Sequence, residues 1–181
     1  MKELSLNLLD VAKNSVAAGA TRIDLTLSED RDGWLTILIA DNGRGMSPEF
    51  LAQATDPFTT TRTTRKVGMG LPLYRMAAEQ TGGSLDIQST EGLGTAVTAR
   101  FCRRHLDCPP LGDLAGTVAL LIQGSPDIRW HYRHITPKGE AALSTDELKA
   151  VLGDGISLAE PEIFAWMEDY LSEQEAQLEG A

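Results

Sequence analysis

The apolar run Trp34-Leu-Thr-Ile-Leu-Ile-Ala40 stops abruptly at Asp41-Asn-Gly-Arg-Gly-Met46. A run of this kind reads as a strand that is buried where it ends. The charged, glycine-rich hexamer sits where that buried strand ends. Just upstream, Thr21-Arg-Ile-Asp-Leu-Thr-Leu27 alternates with period two, and Asp32-Gly33 between the two runs is a hairpin turn signal. Leu4, Leu8, Leu9, Val11, Ala12 and Val16 fall at helical spacing, so Leu4 to Ala18 is expected as a helix stopped by Gly19.

The same reading continues downstream. Pro48 to Ala54 is a short helix capped by Ser47. Thr59 to Lys66 has no apolar periodicity and reads as a loop. Gly70 to Thr81 is a second long helix closed by Gly82-Gly83, and Ser84 to Ser89 and Thr95 to Phe101 are strands around Glu91-Gly-Leu-Gly94. Arg103 to Gly116, with Pro109-Pro110, reads as a linker. Beyond it, Thr117 to Gln123 and Ile128 to Ile135 are expected as a hairpin across Gly124-Ser-Pro-Asp127, followed by helices at Thr145 to Leu152 and Pro161 to Leu178. The expected division is 1–104, a linker at 105–116, and an acidic hairpin-and-helix region at 117–181.

Charge separates the same two regions. Residues 1–104 hold 12 basic and 12 acidic residues, whereas 105–181 hold 4 basic and 14 acidic, so the whole net charge of −10 lies in the C-terminal part. Phosphate backbones need cations, so nucleic acid is not an expected partner. No stretch approaches the ~20 apolar residues of a membrane span. MKELSLNLLDVAKNS carries neither a long apolar run nor a small-residue cleavage site, so the expectation is a cytoplasmic chain without membrane contact. Cys102 and Cys108 sit in no zinc or redox spacing and are expected as reduced thiols.

Three sites carry candidate chemistry. Asp10 and Asn14 are four apart and share one helix face; their hard oxygens suit Mg²⁺ or its water shell. Asp41 is an acceptor suited to an exocyclic amine, and Gly43 and Gly45 let the backbone bend and a flat ligand approach. Val67-Gly-Met-Gly-Leu71 opens a helix, where exposed N–H groups favour an anion, and the cations Arg62, Arg65 and Lys66 precede it. Each site alone also fits an ordinary solvated helix edge, tight turn or surface loop.

Their order is more specific than any one of them. Asp10-x-x-x-Asn14, Asp41-Asn-Gly-Arg-Gly-Met46, Asp56-Pro-Phe-Thr-Thr-Thr-Arg62, Gly68-Met-Gly-Leu-Pro-Leu73 and Gly92-Leu-Gly-Thr95 together resemble the GHKL superfamily of gyrase, the large heat-shock chaperone, sensor histidine kinases and mismatch-repair ATPases. The resemblance covers about residues 3–101. It implies an α+β fold, the Bergerat two-layer sandwich: a mixed, mostly antiparallel sheet with helices on one face. It also implies ATP and Mg²⁺. Asn14 would ligate the metal, and Asp41 would accept from the adenine amine. Gly43, Gly45 and Met46 would shape the adenine wall, with Thr95 supporting that end. Pro57-Phe58 would open the lid carrying Arg62, Arg65 and Lys66, and Gly68, Met69, Gly70 and Leu71 would contact phosphate through backbone N–H groups.

Two departures bear on activity. In hydrolysing members a glutamate activates water four residues before the asparagine; here the shorter Asp10 stands there as candidate base. Sensor kinases usually carry a Lys three positions after the asparagine, where this chain has Ala17. Asn14-Ser-Val-Ala-Ala-Gly-Ala-Thr21 resembles the mismatch-repair pattern, and the Pro-Phe-Thr-Thr-Thr lid resembles the sensor kinases. His105, His131 and His134 lack the phosphoacceptor context, so an acceptor is expected on a separate protein. The implied function is a bacterial Mg-ATP-binding regulatory protein of the phosphotransfer or signalling kind. The alternatives are a slow ATPase clamp or assembly factor, or a non-catalytic sensor.

In the C-terminal part, Ile128 to Ile135 puts aromatic residues on one face and mostly basic ones on the other, expected as a strand with its aromatic face in the core. The last helix carries an apolar stripe of Ile163, Phe164, Trp166, Met167, Tyr170 and Leu171. It is expected to dock on its own hairpin, with a partner-binding helix as the alternative. Leu152-Gly-Asp154 with Pro161-Glu-Ile-Phe-Ala-Trp166 resembles the tail of small stand-alone ATP-binding proteins of anaerobic bacteria, some of them similar to proteins encoded near redox complexes. That resemblance implies redox-enzyme assembly as one form of the alternative.

Overall fold

The structure, a computed structural model, describes residues 3–54 and 70–179. Its elements run α1 (Leu4–Ala17), β1 (Arg22–Glu29), β2 (Trp34–Asp41), α2 (Pro48–Ala54), α3 (Gly70–Gln80), β3 (Ser84–Thr90), β4 (Gly94–Cys102), α4 (Leu114–Gly124), β5 (Arg129–Thr136), β6 (Gly139–Ser144), α5 (Thr145–Leu152) and α6 (Pro161–Glu179). The six strands form one sheet in the order β3-β4-β2-β1-β5-β6. All neighbours are antiparallel except β1 and β5, which are parallel.

Period-two alternation builds the sheet's inner face. Ile23, Leu25 and Leu27 of β1, Leu35, Ile37 and Ile39 of β2, and Val97, Ala99 and Phe101 of β4 are buried. The register aligns them in rows, with Leu25 opposite Ile39 and Tyr132, and Ile39 opposite Val97. Helices α3, α1, α4 and α6 lie side by side against this face. Ser15 of α1 bonds to Asp41, Tyr74 of α3 meets Phe101 at a ring separation of 5.7 Å, and Glu175 of α6 reaches His134. The opposite face carries polar partners, among them Arg100, whose guanidinium sits 4.7 Å over the Trp34 ring.

The expected hairpin is corrected in one strand. Residues 117–123 belong to helix α4, and the hairpin pairs β5 with β6 across Pro137-Lys138. A short apolar run fits a buried helix as well as a buried strand. Here Asp113 decides: its carboxylate accepts from the Gly116 N–H at 2.9 Å and caps the helix. The aromatic face of β5 is in the core as expected, with Trp130, Tyr132 and His134 all buried. Because β5 pairs with β1, the C-terminal residues extend the same sheet, and one apolar cluster runs from Leu4 to Leu171.

A buried polar chain ties α6 to the sheet. His134 is 2% exposed, with Nδ1 2.7 Å from Glu175 Oε2 and Nε2 3.0 Å from Glu29 Oε1. Tyr132 donates to the other oxygen of Glu175, and Arg103 pairs with Glu29 at 3.3 Å. Burial disfavours the imidazolium. The hydrogen bonds and charges of Glu175 and Glu29 outweigh it and raise the His134 pKa to about 9.

Candidate functional site

The inner-face row at one end of the sheet changes from apolar to polar. Asp41 closes β2 and stands opposite Thr95 of β4, which stands opposite Ser89 of β3. The Asp41 carboxylate is fixed from two sides. Ser15 Oγ donates to Oδ2 at 2.6 Å, and the Gly43 N–H donates to Oδ1 at 2.8 Å. Ser89 Oγ lies 2.8 Å from Thr95 Oγ1 and accepts from the Met46 N–H at 2.8 Å. Four hydroxyl and carboxylate groups from β2, β3, β4 and α1 thus line one corner beneath the loop of residues 42–47.

That loop is shaped by what glycine permits. A Cβ at Gly45 would sit 2.1 Å from the Thr90 carbonyl oxygen, and its φ of +72° is strained for other residues. At Gly43 a Cβ would meet Ala18 Cβ at 2.8 Å. The other loop residues bolt it down. Asn42 Oδ1 accepts from the Thr21 and Arg22 N–H groups at 2.8 and 3.0 Å. The Arg44 N–H donates to the Ala18 carbonyl at 2.9 Å and Arg44 Nη2 to the Ala17 carbonyl at 2.8 Å, closing the end of α1. Met46 is half-buried against the core.

Helix α1 brings the second group. Ser15 turns to the sheet while Asn14, one residue earlier, is half-buried, and Asp10, one turn earlier, is exposed. Neither the Asn14 carboxamide nor the Asp10 carboxylate has a hydrogen-bond partner among the described residues. Helix α3 starts at Gly70, beside α1: a Cβ on Gly70 would lie 3.6 Å from Asp10 Cβ. The N–H end of α3 therefore opens next to Asp10, while Leu71 turns inward and is buried. The geometry offers a fixed carboxylate acceptor at one end and, toward α3, free oxygen donors with a helix N-terminus suited to negative charge.

The structure therefore brings together Asp10, Asn14, Asp41, Gly43, Gly45, Met46, Gly70, Leu71 and Thr95. Phe58, Arg62, Arg65, Lys66, Gly68 and Met69 lie outside the described residues. The geometry adds two polar neighbours to these residues, Ser15 and Ser89. Ser15 follows Asn14, and at helical spacing it had to face the sheet. Ser89 lies in the same cross-strand row as Thr95, a relation that appears only once the register is known.

A two-layer sandwich with one helix-covered sheet and a polar corner at the end of a central strand is the Bergerat fold. Residues 1–105 match the family model described as histidine kinase-, DNA gyrase B- and HSP90-like ATPase. The chain belongs to this family, and it carries the family's ATP-binding domain. Among curated proteins, it is 35% identical over 105 residues to the histidine protein kinase DivJ of Caulobacter vibrioides, covering 56% of this chain and 17% of that protein. It is 34% identical over 100 residues to the sensor protein SrrB of Staphylococcus aureus, covering 52% of this chain and 17% of that protein. The chain thus spans less than a fifth of the length of these relatives. Among solved structures, the N-terminal domain of a DNA repair protein superposes with a TM-score of 0.56 at 18% identity, over 86% of this chain and 58% of that one; this likeness concerns the fold. Among the described residues no helix is long and apolar enough to cross a membrane.

Proposed function

We propose that the protein is a Mg-ATP-binding regulator that transfers phosphate to, or signals through, a separate protein. The supporting observation is the Asp41 carboxylate, pinned by Ser15 Oγ and the Gly43 N–H at the end of β2. In this reading Asp41 accepts from the adenine amine. Thr95 and Ser89 back that end, and Gly43, Gly45 and Met46 form its wall. Asn14 faces the phosphates. Its carboxamide oxygen and the Asp10 carboxylate, both without a partner among the described residues, are hard ligands that fit Mg²⁺ or its water shell. The bound metal would neutralise phosphate charge. Gly70 and Leu71 offer backbone N–H groups to the phosphates. Phe58, Arg62, Arg65, Lys66, Gly68 and Met69 complete the proposed set, as the lid and its phosphate loop.

Catalysis in such a site is mostly positioning and charge stabilisation. The test is incubation with γ-labelled ATP, following free phosphate and label on protein together. Label appearing on a co-encoded protein with little free phosphate supports transfer. A protein that binds ATP yet never labels another chain loses the kinase reading.

A second reading, a slow ATPase clamp, is favoured by one observation. The Asp10 carboxylate is exposed, has no partner among the described residues and lies next to the start of α3, so it is the candidate general base of this reading. Steady phosphate release without label on any protein would favour it.

A further inference from the structure

Helix α6 has two faces, and only one is used by the fold. Met167, Leu171 and Leu178 are buried, and Ile163, Phe164 and Tyr170 pack at the margin of the core. Trp166 is not. It remains 47% exposed, with its ring stacked on Tyr170 at a centroid separation of 5.0 Å and an interplanar angle of 11°. Helical spacing sets Glu162, Trp166, Asp169 and Glu173 in one exposed stripe. None of these three carboxylates has an ion-pair partner among the described residues. From Glu160 to the end the chain has 7 acidic residues and no basic one. Leu120, on the exposed side of the adjoining α4, is 47% exposed as well.

An indole face attracts a cation, and unpaired carboxylates around it add charge-assisted hydrogen bonds. Among the described residues no cation sits over the Trp166 ring or pairs with these carboxylates. We propose that the exposed face of α6 docks a basic segment of a protein partner, an arginine or lysine lying over Trp166 and pairing with Glu162, Asp169 or Glu173. Charge selects this occupant. A second copy of the chain would bring the same acidic stripe against itself. Nucleic acid and anionic lipid would meet like charge. This deepens the reading of a separate protein partner but needs no nucleotide chemistry, so it is tested without ATP.

The probe is a labelled amphipathic helical peptide of about 20 residues with leucine and arginine on one face, long enough to lie along α6. Its anisotropy is followed with the whole protein at low and high salt. The expected result is binding that weakens steeply with salt. Trp166→Ala and the triple variant E162Q/D169N/E173Q should each weaken it at least about tenfold. The triple variant changes only exposed groups, so it keeps the test valid if the tryptophan variant folds poorly. Mg-ATP affinity, measured alongside, should be unchanged in both; failure of ATP binding alone would strike the nucleotide reading and leave this one standing. No peptide binding at low salt would overturn the proposal. So would equal binding of a peptide with glutamate in place of arginine, equal binding by the variants, or concentration-dependent dimers that the tryptophan change abolishes.

Discussion

Ser15 Oγ donates to Asp41 Oδ2 at 2.6 Å, joining the inner side of α1 to the end of β2. With the Gly43 N–H on the other oxygen, the bond leaves the carboxylate one orientation. Ser15→Ala should therefore keep the fold and weaken Mg-ATP binding roughly tenfold, the scale of one hydrogen bond to a charged group. Isothermal titration with circular dichroism on the same sample checks both halves.

Gly45 cannot carry a side chain without moving the β3–β4 turn, because a Cβ would lie 2.1 Å from the Thr90 carbonyl oxygen. Gly45→Ala is expected to cost more than about 2 kcal/mol, since steric overlap and a strained φ add. Gly92→Ala is a useful comparison: its φ is +84°, but nothing lies within 4 Å of the added carbon. Urea midpoints should place the Gly45 variant well below the Gly92 variant.

Asp10 is exposed and has no hydrogen-bond partner among the described residues, so its replacement tests chemistry more than folding. Asp10→Asn should bind Mg-ATP within about threefold of the parent. It should lower phosphate release or transfer by about 100-fold, the lower range for a general base. Unchanged turnover in the variant would remove Asp10 from the reaction.

His134 makes stability depend on pH in a defined direction. Its pKa is about 9 in the fold, opposed by burial but raised by Glu175 and Glu29. It is about 6.5 in an unfolded chain. A raised folded pKa gives stability that is fully present below about 6.5 and is lost as pH rises through about 9. The loss should reach at most about 3 kcal/mol. His134→Leu would leave the half-buried Glu175 without its cation and Glu29 with Arg103 alone, and should destabilise by about 2–3 kcal/mol. Denaturation series at pH 6.5 and 9.5 should show the drop in the parent and a much flatter response in His134→Gln.

Most of the first hundred residues were legible because local signals agreed. The alternation of Ile23, Leu25 and Leu27, the glycine turn after Asp41 and the Ser47 cap each point to the element observed, with Phe50 N–H donating to Ser47 Oγ at 3.2 Å. The C-terminal part was harder for physical reasons. The run Thr117 to Gln123 is apolar on all sides, so it carries no period, and only the Asp113 cap separates helix from strand. Strand β6, Gly139–Ser144, holds two alanines and no β-branched residue, so its propensity is silent; its pairing with β5 forms it. The parallel pairing of β1 with β5 is a long-range relation that no local pattern encodes. The site divides the same way. Asp41 and Asn14 stand out through the order of the motifs and the family resemblance it carries, whereas Ser15 and Ser89 join them only through register and helix rotation.

Isothermal titration of the purified chain with Mg-ATP, beside Asp41→Ala, addresses the central claim most directly. The account predicts one nucleotide per chain and a loss of at least about 30-fold in the variant, whose circular dichroism stays that of the parent. A folded parent that binds no ATP, or equal affinity in the two proteins, would contradict it.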